Sequence, residues 1–126
     1  MNEIKVMIID DEEMLRSNLA DYLEDEGFRV DTFSSGEQAL EAIKNGNKYH
    51  VAIVDLRLPG MNGNDFIIES RDLANELFIL IHTGSSDYQL SPEMVDMGIT
   101  PKQIIYKPIY DMSIFTEAIL KHSDKH

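Results

Sequence analysis

Three aspartates, a threonine and a lysine each stand where a short apolar run ends. Asp10 and Asp11 close IKVMIIDD, Asp55 closes VAIVD, Thr83 follows FILIH, and Lys107 with Pro108 follows QIIY. A carboxylate can act as a nucleophile and form an acyl phosphate. Neighbouring carboxylates suit Mg2+, which takes oxygen ligands and needs only one or two acids beside water and phosphate oxygens. An ammonium and a hydroxyl supply the rest of what phosphoryl transfer requires, since that chemistry depends mostly on positioning and charge neutralisation. Gly84 beside Thr83 lets a bulky anion approach the backbone.

Each residue also has a plain reading. An Asp-Asp pair often makes a turn and helix cap, Asp55 can simply end a strand, and Thr83-Gly84 can be an ordinary turn. A lysine after a buried strand usually snorkels to the surface, although Pro108 biases Lys107 towards extended backbone, over the same edge as the acids. Two carboxylates about 4 Å apart repel by about 4 kcal/mol at an effective dielectric near 20. A divalent cation relieves that repulsion, and without one at least one carboxylate pKa should rise. The complete set favours a phosphorylation site over five separate coincidences.

The elements that would gather these residues are legible as a pattern. Apolar runs without helical period read as strands buried on both faces, and here they end at Asp10, Phe33, Asp55, His82 and Tyr106. Amphipathic helices alternate with them. Leu15, Leu19, Tyr22 and Leu23 share one helical face that stops near Gly27. Ser34 or Ser35, with Glu37 or Gln38 three positions on, opens the next helix through Ala39, Leu40 and Ile43. Asn62-Gly63 opens a third through Phe66, Ile67 and Leu73, and Ser91-Pro92 a short fourth through Met94, Val95 and Met97 to Gly98. Asp111 can cap the last helix, which carries Phe115, Ala118 and Ile119. Five alternating units predict a three-layer α/β domain with a mainly parallel sheet, whose ligands bind beyond the carboxyl ends of the strands.

Composition narrows the function classes. At 126 residues the chain is sized for one domain with its own core. A net charge of -12 argues against nucleic-acid binding through this domain, because phosphate contacts need a Lys/Arg surface. With no cysteine there is no disulfide framework, thiol nucleophile or thiolate metal site. No apolar run reaches membrane-spanning length and the N-terminus lacks a signal pattern, so a cytoplasmic domain without membrane insertion is expected.

The motifs IIDDEEMLR, VDLRLPGMNG, HTGSS and YKP, in this order, resemble those of response regulator receiver domains of two-component signalling, of the chemotaxis-regulator type. The resemblance covers residues 4–121 and implies one receiver domain over 1–126. It implies a flavodoxin-like (βα)5 three-layer sandwich with a parallel five-stranded sheet in the order 2-1-3-4-5. It also implies phosphorylation of Asp55 by a histidine kinase or histidine phosphotransfer protein. Such a domain catalyses its own phosphorylation and dephosphorylation yet acts as a switch rather than an enzyme. Asp10 and Asp11 match the acidic pair that organises Mg2+ (or Mn2+ in its place), Asp11 directly and Asp10 largely through water. Asp55 matches the phosphoacceptor and a metal ligand, and the Arg57 backbone carbonyl completes the protein ligands. Thr83 matches the switch hydroxyl and Lys107 the ammonium that pairs with a phosphoryl oxygen. Pro59, Gly60 and Gly63 match the loop after the phosphoacceptor, where Gly tolerates positive φ and Pro fixes φ. Arg57 and Ser85 match positions lining the approach to the phosphoryl group. Arg57 either contacts the phosphoryl, hinders an attacking water, or is a solvated loop arginine.

The output follows from the resemblance as well. Phosphorylation is expected to reorder the face formed by the fourth helix, fifth strand and fifth helix, for a downstream protein, a fused output domain or a homodimer partner. One departure weakens that route: the family commonly places an aromatic switch three residues before the lysine, where this chain has Ile104. Tyr106 has the same strand parity, as a packed surface aromatic or a substitute reporter. His82 is expected to be satisfied by the backbone, His50 to lie in a loop, and His122 and His126 to form no catalytic constellation. Tyr88, Met94, Val95 and Met97 suit helix packing or a partner-binding face, and the stretch from Gly98 to Gln103 has no assigned role. The chain ends at KHSDKH, consistent with a stand-alone receiver or with a piece of a longer regulator or hybrid kinase.

Three alternatives carry discriminating features. A metal-dependent phosphohydrolase would want a second acid two residues after the nucleophile, where Arg57 stands. A flavin-binding domain would want a phosphate-cradling loop where DDEEMLR is acidic. A phosphate-independent binding module would need a degraded site, and this one has every core position.

Overall fold

The computed structural model describes residues 3–125, with five strands alternating with five helices. The strands are β1 (Lys5–Ile9), β2 (Arg29–Phe33), β3 (Val51–Asp55), β4 (Phe78–Thr83) and β5 (Ile104–Tyr106). The helices are α1 (Glu13–Asp25), α2 (Gly36–Lys44), α3 (Gly63–Leu73), α4 (Pro92–Asp96) and α5 (Ser113–Lys125). All four pairings are parallel and the order is β2-β1-β3-β4-β5, the flavodoxin-like arrangement expected from the sequence.

Side chains alternate across each strand, so the central strands feed two cores. Met7, Ile9, Ala52, Val54, Ile79 and Ile81 pack on one face, with Ala39 and Leu40 of α2, Phe66 and Ile67 of α3, and Met94 of α4. Val6, Ile8, Val51, Ile53, Leu80 and Ile105 pack on the other, with Leu19 and Leu23 of α1 and Phe115 and Ile119 of α5. This double burial is why the central strands read as continuous apolar runs. Phe66 and Phe115 are almost completely buried, and truncating either to Ala should cost about 3–5 kcal/mol.

The predicted helix starts are found, each with its own acceptor. Ser35 takes the Gln38 N–H at 3.2 Å, Asn62 the Asp65 N–H at 2.9 Å, and Ser91 the Met94 N–H at 3.3 Å. Gln38 reaches back one residue further than a capping box requires, accepting from the backbone and hydroxyl of Ser34. Asp111 accepts from the Ser113 N–H at 3.0 Å. Two boundaries shift by one residue: β1 ends at Ile9 rather than Asp10, and β4 runs on through Thr83.

β5 is only three residues long and pairs with Ile81–Thr83, so Phe78–Leu80 extend past it. The Gly98–Gln103 stretch, without a role in the sequence, fills that space. Pro101–Gln103 forms a 3-10 turn, and the Gln103 side-chain amide donates to the Ile79 carbonyl at 2.8 Å while its oxygen accepts from the Thr100 N–H at 3.0 Å.

Candidate functional site

The carboxyl ends of β1, β3, β4 and β5 meet at one edge of the sheet. Register explains why. β1 and β3 align Ile9 with Val54, which sets Asp10 beside Asp55. β3 and β4 align Asp55 with His82, and β4 and β5 align Thr83 with Tyr106, one residue before Lys107. Lys107 is tied in by its backbone N–H, which donates to the Thr83 carbonyl at 2.8 Å, and its bond to Pro108 is cis.

Asp10, Asp11 and Asp55 each present a ligand atom, all within 4.8 Å of one another. Asp10 and Asp55 are buried and Asp11 is exposed, so the cluster opens to solvent on one side. Lys107 Nζ sits 3.4 Å from Asp55 Oδ2, 3.6 Å from Asp10 Oδ2 and 3.5 Å from Glu12 Oε1. Backbone donors hold the acids in place: Glu12 N–H reaches Asp10 Oδ1 at 2.9 Å, and Arg57 N–H reaches Asp55 Oδ1 at 3.0 Å.

Electrostatics follow from this crowding. Burial pushes the Asp10 carboxyl up to about 6, with the Asp55 and Glu12 charges adding to it against the pull of the Glu12 amide and Lys107. Partial burial disfavours the Lys107 ammonium, yet Asp10, Asp55 and Glu12 outweigh it and hold its pKa above the ordinary lysine value. A single lysine shared among three acids leaves the edge net negative. The donor set is all oxygen and partly open to water, which fits Mg2+ with Asp10, Asp11 and Asp55 as ligands.

Loops frame the acids. Gly63 is required by close approach: a Cβ there would lie 2.6 Å from the Asp55 carbonyl oxygen and 2.7 Å from Leu56 Cα, both backbone. Gly60 has φ +72°, and Glu37 of α2 pins the next residue by accepting from the Met61 N–H at 3.1 Å. Gly84 faces open space, as an approach path for an anion requires. Thr83 is buried, and its Oγ1 accepts from the Ser85 N–H at 3.1 Å. The Arg57 side chain is exposed and makes no hydrogen bond or ion pair among the described residues.

Several expectations need correction. His82 is not satisfied by the backbone: its Nε2 is buried without a hydrogen-bond partner among the described residues, and its ring meets Phe115 edge-on at 5.1 Å. Tyr106 is a surface aromatic, 46% exposed, while Ile104 packs against the core. Of Tyr88, Met94, Val95 and Met97, Met94 is fully buried and Tyr88 and Met97 pack against the same core, as the helix-packing reading expects, while Val95 is exposed. His50 lies in a loop as expected, and His122 stacks on Phe78 at 3.8 Å; His126 lies outside the described residues. The sequence reading also missed Arg16, whose guanidinium donates to the Asp10 carbonyl at 2.7 Å and braces the acidic loop from α1. Its place one turn into the helix after DDEE was the available signal.

Comparisons with known proteins agree with this geometry. The family described as the response regulator receiver domain matches residues 6–119. The transcriptional regulatory protein FixJ of Rhizobium meliloti is 32% identical over 127 residues, covering 98% of this chain and 59% of that protein. The chain spans between 27% and 59% of the length of the curated relatives it matches. A CheY-like receiver domain protein from Methanospirillum hungatei superposes with a TM-score of 0.86 at 22% identity, covering 98% of this chain and 96% of that one, which speaks to fold alone. The response regulator protein TrrA of Thermotoga maritima, solved in complex with Mg2+ and BeF, has a TM-score of 0.78 at 25% identity, covering 94% and 97% of the two chains.

Proposed function

The chain belongs to the response regulator receiver domain family, and from that premise we propose that it is a phosphoacceptor switch acting through Asp55. The observation that carries this reading is that Asp10, Asp11 and Asp55 bring ligand atoms within 4.8 Å of one another at the strand ends, with Lys107 Nζ 3.6 Å from Asp10 and 3.4 Å from Asp55. A phosphohistidine on a histidine kinase or phosphotransfer protein is the donor. An Asp55 carboxylate oxygen attacks phosphorus, the phosphorus–nitrogen bond breaks, and the imidazole leaves with that electron pair.

Asp11, Asp55 and the Arg57 carbonyl would hold Mg2+, with Asp10 acting largely through water, and the ion would neutralise the carboxylates and the developing phosphoryl charge; Mn2+ would suit the same residues. Lys107 already points at Asp55 Oδ2 and takes a phosphoryl oxygen as its new partner. Thr83 supplies a hydroxyl, and Gly84 leaves room for the group. Arg57 and Ser85 flank the approach and set the lifetime of the acyl phosphate. Output is then a change in the face of α4, β5 and α5, read by a downstream protein, a fused domain or a second copy, in the cytoplasm. Among the described residues no helix is long and apolar enough to cross a membrane.

Acetyl phosphate with Mg2+ tests the reading. Wild type should incorporate one acid-stable, base-labile phosphate and Asp55→Asn none. Incorporation that persists in Asp55→Asn, or is missing from wild type with phosphorylated kinase as well, rules the assignment out.

A further inference from the structure

A chain of hydrogen bonds leads from Thr83 to a tyrosine on the following loop. Thr83 Oγ1 accepts from the Ser85 N–H at 3.1 Å, and the Ser85 carbonyl accepts from the Tyr88 N–H at 3.4 Å. Ser85 Oγ donates to Asp87 Oδ1 at 2.7 Å, stiffening the segment between them. Tyr88 then crosses to two helices. Its Oη lies 2.9 Å from Asn64 Oδ1 in the first turn of α3 and 3.2 Å from Met94 Sδ in α4, two acceptors for one proton. Its ring is half-buried against the core that Met94 completes. β5 offers nothing comparable: Ile104 is aliphatic, and the Tyr106 side chain makes no hydrogen bond among the described residues.

We propose that Tyr88 is the aromatic switch of this chain, a latch that couples Thr83 to α3 and α4. The inference rests on the phosphoacceptor reading and deepens it. When Thr83 turns its hydroxyl to a phosphoryl group on Asp55, the acceptor leaves the Ser85 N–H. The loop from Gly84 to Asp87 is then held to β4 by its covalent ends alone. Gly84, Ser86 and Asp87 are exposed and have little packing to resist movement. Tyr88 follows, gives up Asn64 and Met94, and exposes its ring beside α4. Because Asn64 lies in the first turn of α3, the same release loosens the loop after Asp55. The latch is thus a two-state element that the site biases and a partner can read.

The test uses the whole chain labelled with 3-fluorotyrosine, the Tyr88 resonance being assigned from its loss in Tyr88→Phe. Beryllium fluoride with Mg2+ serves as the stable phosphoryl mimic. The Tyr88 signal should move on adding it to wild type and stay in place in Thr83→Ala. Tyr88→Phe should bind the mimic about five-fold more tightly, since one hydrogen bond of the resting state is gone. Asn64→Ala should do the same if Tyr88→Phe folds poorly. A merely structural role would lower thermal stability without changing that affinity. A Tyr88 signal unmoved in a protein whose Asp55 is phosphorylated by acetyl phosphate overturns the latch and leaves the switch reading intact. Failure of Asp55 to take either phosphate or mimic overturns both.

Discussion

His82 ends the buried run of β4 immediately before Thr83, with its ring packed edge-on against Phe115 of α5. Its position before Thr83 was legible, but the fate of its ring depends on α5, 33 residues further along. Phe115 packs edge-on against the ring, and among the described residues no hydrogen-bond partner meets Nε2. Burial, aided by the Lys107 charge, pushes the imidazole down to about 4, so it is neutral at pH 7. The unfolded chain takes up this proton near 6.5 and the folded one only near 4, so stability is lost as pH falls through that window. His82→Leu continues the apolar face set by Leu80 and removes the orphaned nitrogen. It should stabilise the protein by about 1 kcal/mol at pH 7, and by more at pH 5, in urea unfolding. A loss of stability at both values would mean that the ring has an unseen partner. Tyr88 and Arg16 teach the same lesson, because a side chain's partner across the fold leaves no mark in its own neighbourhood of sequence.

Elements were more legible than residues. β1, β3 and β4 announce themselves because both faces are buried, and α2, α3 and α4 begin at the predicted serines and asparagine. β2 and β5 are edge strands with weaker patterns, and β5 is too short to state its own register. The turn before β5 was the least readable piece, since its purpose lies in β4. Gln103 joins the Ile79 carbonyl to the Thr100 N–H through one amide. Gln103→Ala leaves both groups unpaired and should cost about 2 kcal/mol, seen as an earlier urea midpoint with unchanged slope. No shift in midpoint would show that water replaces the amide at no cost.

At the scale of the molecule, the acidic edge is a deliberate instability. The Asp10 pKa is raised to about 6, chiefly by burial, against 3.8 for the free group. Its contribution is therefore fully present below about 3.8 and lost as pH rises through about 6, so the metal-free protein is penalised at neutral pH. His82 carries the opposite sign across much of the same range, which flattens the wild-type profile. A divalent cation that binds only the folded chain should return about 3 kcal/mol at a hundredfold excess over its Kd. Thermal unfolding should show a large Mg2+ shift at pH 7.5 and a small one at pH 5, where Asp10 is mostly protonated. Equal shifts at the two pH values would separate metal binding from Asp10.

The overhang of β4 past β5 has a consequence for how these molecules meet one another. A strand edge with unpaired backbone is a template for a neighbour's strand, and sheets avoid stacking into fibres by blunting it. Here the blunting is done by a side chain 24 residues away, which occupies the Ile79 carbonyl as a short false strand would. The two ends of β4 thus differ in kind: at one, Gln103 closes the Ile79 carbonyl to a neighbour's strand, and at the other Thr83 stands at the acidic edge beside Tyr106 of β5.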